Sequence, residues 1–176
     1  ITGMKDGVAV TVTYGIPAAD DVFLWVVDVR NETGAEVALL LASYIEFGLL
    51  EFMREAIGWC YLKNQLGFTF DEPSQSIRYD YHVFEAPFAP RMAFGCSGAV
   101  AGYECSRDRF VGATGSLARP TALVEGGALS NSQVPLGGHG CGVLGSELVL
   151  PPGGSEQMTY VFALSEGSWD AVDALL

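Results

Sequence analysis

Residues 8–34 read VAVTVTYGIPAADDVFLWVVDVRNETG, and the spacing of their apolar side chains decides the fold class. Val8, Val10, Val12 and Tyr14 point one way and Ala9, Thr11 and Thr13 the other, the period of two that a half-buried β-strand imposes. Gly15, Pro17 and the Asp20-Asp21 pair mark a turn. Residues 22–30 repeat the alternation, with Phe23, Trp25, Val27 and Val29 on one face, and Asn31 to Gly34 supply the next turn. Working outward, 35–47 predicts a third, more deeply buried strand. Ile77, Tyr79, Tyr81 and Val83 alternate with Arg78, Asp80, His82 and Phe84, a stretch rich in the β-branched and aromatic types that suit a pleated surface. Residues 147–150 and 158–164 flank Pro151-Pro152-Gly153-Gly154 as the arms of a hairpin. Strands of this length, joined by turns and not by crossover helices, predict an all-β antiparallel sandwich.

Two stretches depart from the pattern. Residues 49–62 (LLEFMREAIGWCYL) space Leu49, Phe52, Met53 and Ala56 as a short helical excursion does. At the other end Ser168 has the character of an N-cap, Asp170 sits in the first turn, and Ala171, Val172, Ala174, Leu175 and Leu176 continue as a helix. That helix stops at Leu-Leu with no partner in sight, and the chain opens at Ile1 without an initiator methionine. Both features predict a truncated linker helix and a piece of a longer polypeptide.

A chain of 176 residues buries roughly 70% of the surface of its unfolded form, enough for one core without covalent staples. Its formal charge of −12 opposes binding to nucleic acid or an anionic membrane, although a small anion such as phosphate needs only a local arginine. No apolar run reaches the ~18 residues of a membrane span. Cys60, Cys96, Cys105 and Cys141 form no C-x-x-C pair and read as reduced, mostly buried thiols of a cytoplasmic protein.

Residues that could carry chemistry are sparse. His82 and His139 have no second ligand nearby, so no metal site is expected. Gly137 to Gly142 lacks the strand-to-helix setting of a nucleotide loop. Glu46 reads as a structural acceptor, and Glu51 and Glu55 as solvated. No serine has a histidine partner, which leaves nucleophilic catalysis without support. Arg107, Asp108 and Arg109 invite an oxyanion site, but such a run at a strand end fits structural ion pairs better, and Arg119-Pro120 fits a fixed turn.

S-Y-I-E-F at 43–47, the block A-G-Y-E-C-S-R-D-R-F-V-G at 101–112 and S-L-A-R-P at 116–120 follow one another in a distinctive order. With the N-E-T turn at 31–33, the L-S-N run at 129–131 and the closing proline-glycine hairpin, they resemble the amino-terminal domain of the cellobiose and cellodextrin phosphorylase family, glycoside hydrolase family 94. The resemblance spans about 8–165. It implies a β-supersandwich over 1–166 and, from 167 to 176, the start of a helical linker to an (α/α)6 catalytic barrel lying outside the chain.

The resemblance also implies an activity for the parent protein. Inorganic phosphate, the co-substrate, attacks the anomeric carbon of a β-linked gluco-oligosaccharide with inversion and releases glucose 1-phosphate, with no organic cofactor. Phosphate is already a nucleophile, so one general acid suffices where an inverting hydrolase needs two carboxylates. That acid belongs to the barrel, which leaves this domain without a catalytic residue of its own. The domain would brace the barrel, contribute to a homodimer and edge the acceptor-sugar site. The stretch after S-Y-x-E-F in the family runs toward the barrel mouth, which makes Trp59, Tyr61, Lys63 and Asn64 the candidate acceptor residues, the aromatic pair for stacking and the polar pair for hydroxyls. Core or interdomain packing is the plainer role for Trp59 and Tyr61. The rival function is an autonomous carbohydrate-binding sandwich with Trp59, Tyr79 and Tyr81 as an exposed platform.

Overall fold

The computed structural model describes residues 1–46, 66–81, 91–124, 128–166 and 168–176. Its strands in chain order are β1 (Thr2–Lys5), β2 (Val8–Gly15), β3 (Val22–Asn31), β4 (Val37–Ala42), β5 (Leu66–Asp71), β6 (Ser76–Tyr81), β7 (Arg91–Cys96), β8 (Gly102–Ser106), β9 (Gly140–Leu150) and β10 (Ser155–Ser165). The described residues also form three short helices, α1 (Arg107–Val111), α2 (Thr121–Val124) and α3 (Trp169–Asp173). The strands form two antiparallel sheets: seven in the order β1-β2-β3-β10-β7-β6-β5, and three in the order β4-β9-β8.

The predicted alternation of β2 and β3 sets the inner face of the larger sheet. Their register brings Val10 opposite Val29, Val12 opposite Val27 and Tyr14 opposite Trp25. Across β10 and β7 the row continues through Tyr160 and Phe94, stacked at 5.7 Å, and passes Tyr79 and Ile77 of β6, both fully buried, to Phe68 and Phe70 of β5. Each such side chain removed from water contributes ~1.5–3 kcal/mol, so this row supplies most of the attraction between the sheets. The smaller sheet answers with Cys105, Leu144 and Leu150.

Asn31 shows how the N-E-T turn is held. Its side chain is fully buried and donates to the carbonyls of Ala35 at 2.7 Å, Leu150 at 3.0 Å and Pro151 at 3.1 Å, while its Oδ1 accepts from the Thr33 amide and hydroxyl. One side chain thereby ties the β3–β4 turn to the β9–β10 hairpin. Gly7, at φ 77° in the β1–β2 turn, lies against the same place, since a Cβ there would meet the Thr33 methyl at 2.5 Å.

β4 is shorter than the predicted 35–47 strand and only half-buried, because it is the outer strand of its sheet. Ser43 interrupts the ladder: its hydroxyl, not its carbonyl, accepts the Leu144 amide at 3.0 Å. The register nevertheless resumes at Ile45, paired with Gly142. The predicted excursion at 49–62 lies outside the described residues.

α3 begins as expected, with the Ser168 hydroxyl accepting from the Ala171 amide at 3.4 Å. The expectation that it has lost its partner is corrected. Val172 is fully buried with Ala93 and Ala163 on the outer face of β7 and β10, and Leu176 lies over Gly95. Small residues on two adjacent strands leave the depth a helix needs. Arg78 fastens the seat, reaching Asp173 at 2.9 Å and Asp71 at 3.1 Å with its guanidinium 4.6 Å from the centre of the Trp169 ring system.

Candidate functional site

The three motifs that carry the family resemblance converge at one end of the smaller sheet. Beyond β4, Tyr44 stacks on Phe110 of α1, with ring centres 5.4 Å apart and planes 19° from parallel. The Tyr44 hydroxyl donates to Glu46 Oε1, and the same oxygen accepts from Arg107 Nε at 3.0 Å. Burial first, and then the Glu46 carboxylate, hold the Tyr44 hydroxyl well above its usual range, so it remains a donor. The hydrogen bond to Glu46 likewise raises Arg107. The predicted roles of Glu46 as an acceptor and Arg107 as an ion-pair partner therefore both hold. Glu46 and Arg107 are each more than a third exposed, so their pairing adds little stability; its consequence is geometric, fixing the chain where residue 47 begins.

α1 is positioned by local chemistry. Ser106 caps it, its hydroxyl accepting from the Arg109 amide, and Asp108 occupies the first turn, where negative charge is favoured. Phe110 and Val111 are buried against Cys141 and Val143 of β9. The Arg107 amide donates to the His139 carbonyl at 2.8 Å, and His139 Nδ1 lies 3.3 Å from Asp108 Oδ1. Thr121 donates to the Val111 carbonyl at 2.9 Å, and Ser116 and Arg119 exchange backbone hydrogen bonds in the turn that Arg119-Pro120 predicted. Gly140 in the glycine-rich stretch has a packing role: a Cβ there would fall 1.7 Å from the Phe68 ring.

Glu104 is the residue that sequence reasoning missed. It is 1% exposed, and its carboxylate accepts from the Ser130 and Ser132 hydroxyls and from the Ser106 amide at 2.9 Å. Asn131, between those serines, is left-handed at φ 54° and accepts the Tyr103 amide at 2.8 Å. The chain then crosses to the other sheet, where Val134 and Phe68 exchange amide–carbonyl bonds of 2.7 and 2.9 Å. Tyr103 and Phe70 stack beneath it at 4.1 Å. No sequence pattern ties Ser130 and Ser132 to Glu104, because the left-handed Asn131 turns the chain between them.

Trp59, Tyr61, Lys63 and Asn64 lie outside the described residues, as do Glu51, Glu55, His82 and Cys60. Tyr79, expected on an exposed platform, is instead fully buried, its ring edge-on to Phe68 at 4.9 Å. The reason is its place on the inner row of a strand covered by the second sheet. Among the described residues no three His, Cys, Asp or Glu side chains are grouped to hold a metal, and no helix is long and apolar enough to cross a membrane. Cys105 and Cys141 are buried free thiols, and burial pushes Cys105 up to about 12. A thiol so far from ionising is a packing group, not a nucleophile.

Two antiparallel sheets of unequal width, spliced along one side by the 130–134 crossing, make this a β-supersandwich domain. The chain belongs to the glycosyl hydrolase 94 supersandwich-domain family, whose model matches residues 1–176. It is similar to N,N'-diacetylchitobiose phosphorylase of Vibrio furnissii, at 22% identity over 169 residues, covering 96% of this chain and 21% of that protein. The chain thus spans about a fifth of that relative's length. Among solved structures it is similar to a polysaccharide lyase, with a TM-score of 0.57 and 15% identity over 99% of this chain and 22% of that one, a likeness of fold alone.

Proposed function

We propose that this chain is a non-catalytic domain of an inverting glycoside phosphorylase, which takes β-linked gluco-oligosaccharides and inorganic phosphate reversibly to glucose 1-phosphate. The observation that carries the reading is the family match over the whole chain, joined to a phosphorylase relative of which the chain spans only a fifth. The domain braces an (α/α)6 barrel that holds the general acid. It contributes to a homodimer in the cytoplasm and uses no organic cofactor.

Trp59, Tyr61, Lys63 and Asn64 edge the acceptor-sugar site in this reading. The Tyr44–Glu46–Arg107 cluster supports it, because it fixes the chain at Glu46, thirteen residues ahead of Trp59. The relative's name makes an N-acetylglucosamine disaccharide a second substrate to test beside cellobiose and laminaribiose. The test is synthesis by the full-length protein from glucose 1-phosphate or, for the second substrate, from N-acetylglucosamine 1-phosphate. Trp59→Ala is expected to raise the acceptor KM at least about fivefold, the scale of one lost ring–sugar contact, with the phosphate KM of the reverse reaction unchanged. An unchanged acceptor KM removes Trp59 from the site. Turnover by residues 1–176 alone removes the non-catalytic assignment.

A further inference from the structure

The larger sheet extends beyond the smaller one, and the step between them is apolar. β4 ends the three-stranded sheet, while β1 and β2 carry the seven-stranded sheet past it. Met4, Val8 and Val10 form a shelf on one side, and Val37, Leu39 and Leu40 of β4 form a wall on the other, around a groove of about 630 Å³. Met4 is 64% exposed.

Among the described residues the wall also has unused hydrogen-bonding capacity in a fixed row. β4 pairs with β9 in one unbroken register from Val37 opposite Leu150 to Ala42 opposite Gly145, and it continues to Ile45 opposite Gly142. Ile45 and Gly142 exchange both backbone bonds, and the Ser43 amide donates to Leu144. Bonded pairs alternate along an antiparallel ladder, so Val37, Leu39 and Leu41 face β9 while Ala38, Leu40 and Ala42 turn their N–H and C=O groups to the open edge. Edge strands are ordinarily guarded by charge, proline or a bulge. Val37–Ala42 reads VALLLA and carries none of these along the row.

We propose that this edge and shelf receive one further β-strand, with apolar residues at alternate positions, supplied by the remainder of the same polypeptide outside residues 1–176. The proposal rests on reading the chain as one domain of a larger phosphorylase. The edge row offers backbone partners to an added strand, and the shelf offers an apolar floor to every second side chain. The length of the parent protein selects the occupant. The phosphorylase relative has about four-fifths of its length outside the matched region, ample to provide a strand.

Residue-resolved amide hydrogen exchange tests this. In residues 1–176 alone, the Ala38, Leu40 and Ala42 amides should exchange near the unstructured rate while Leu39 and Leu41 are slowed. In the full-length protein the three edge amides should slow by at least about a hundredfold. Fast exchange of all three in both proteins overturns the proposal. Slow exchange in residues 1–176 also overturns it, and a mass that doubles with concentration would then make a second copy the occupant. A phosphorolysis assay on the same full-length sample separates the two ideas: slowed amides without turnover leave the added strand standing and remove the enzymatic reading.

Discussion

Asn31 joins five hydrogen bonds in a place where water does not reach, and two of its partners belong to the hairpin more than a hundred residues away. Replacing it with alanine removes all five from a buried site at once. Asn31→Ala is therefore expected to cost about 2–4 kcal/mol of stability in urea unfolding with the slope unchanged, several times a surface substitution. Glu104 has a similar role between Ser130 and Ser132. The two differ in how they are read from sequence. Asn31 stands at the end of an alternating strand, where an N-x-T turn has a local mechanism. Glu104 is one acidic residue in a short strand, and its two hydroxyl partners come from a run more than twenty residues on, so nothing local announces them.

Among the elements, those whose two faces meet different surroundings were legible. β2 and β3 alternate because one face packs and the other is wet. Residues 140–146 of β9 conceal their strand because they are covered on both faces, which removes the polar half of the pattern and leaves glycine, cysteine, valine and leucine. α3 was legible at its cap, but not in its seat, since Ala93, Gly95 and Ala163 reveal their purpose only when β7 and β10 lie side by side. A five-residue helix cannot persist alone. Arg78→Ala removes both of its ion pairs and the nearer of two guanidinium groups above Trp169, and it is expected to raise amide exchange of residues 171–174 about tenfold or more while strand amides are unaffected. Unchanged exchange there would show that Val172 and Leu176 hold the helix unaided.

For the whole molecule, burial raises several groups together. Cys105 moves from an ordinary value of 9.0 to about 12, and Cys96, Cys141, Tyr44 and Tyr160 also move upward, desolvation being the first cause in each. In the unfolded chain these groups ionise first. Stability is therefore complete below about pH 9 and falls as pH climbs from there through the folded values. Thermal unfolding followed from pH 8 to 11 should show this decline, and Cys105→Ala should make it shallower; a flat profile would mean the thiols are not desolvated. The candidate acceptor residues could be named from motif order alone, whereas the anchor at Glu46 needed the fold, because Arg107 lies 61 residues away.

The crossing at 130–134 has one more consequence. Asn131 is tied to Tyr103 in one layer and Val134 to Phe68 in the other, with two residues between them. So short a span has no slack to absorb an insertion. A single extra residue there would break either the Asn131 tie to Tyr103 or the Val134 bridge to Phe68. Tolerance to added length should be lowest at this splice, even though it has the outward look of an ordinary loop.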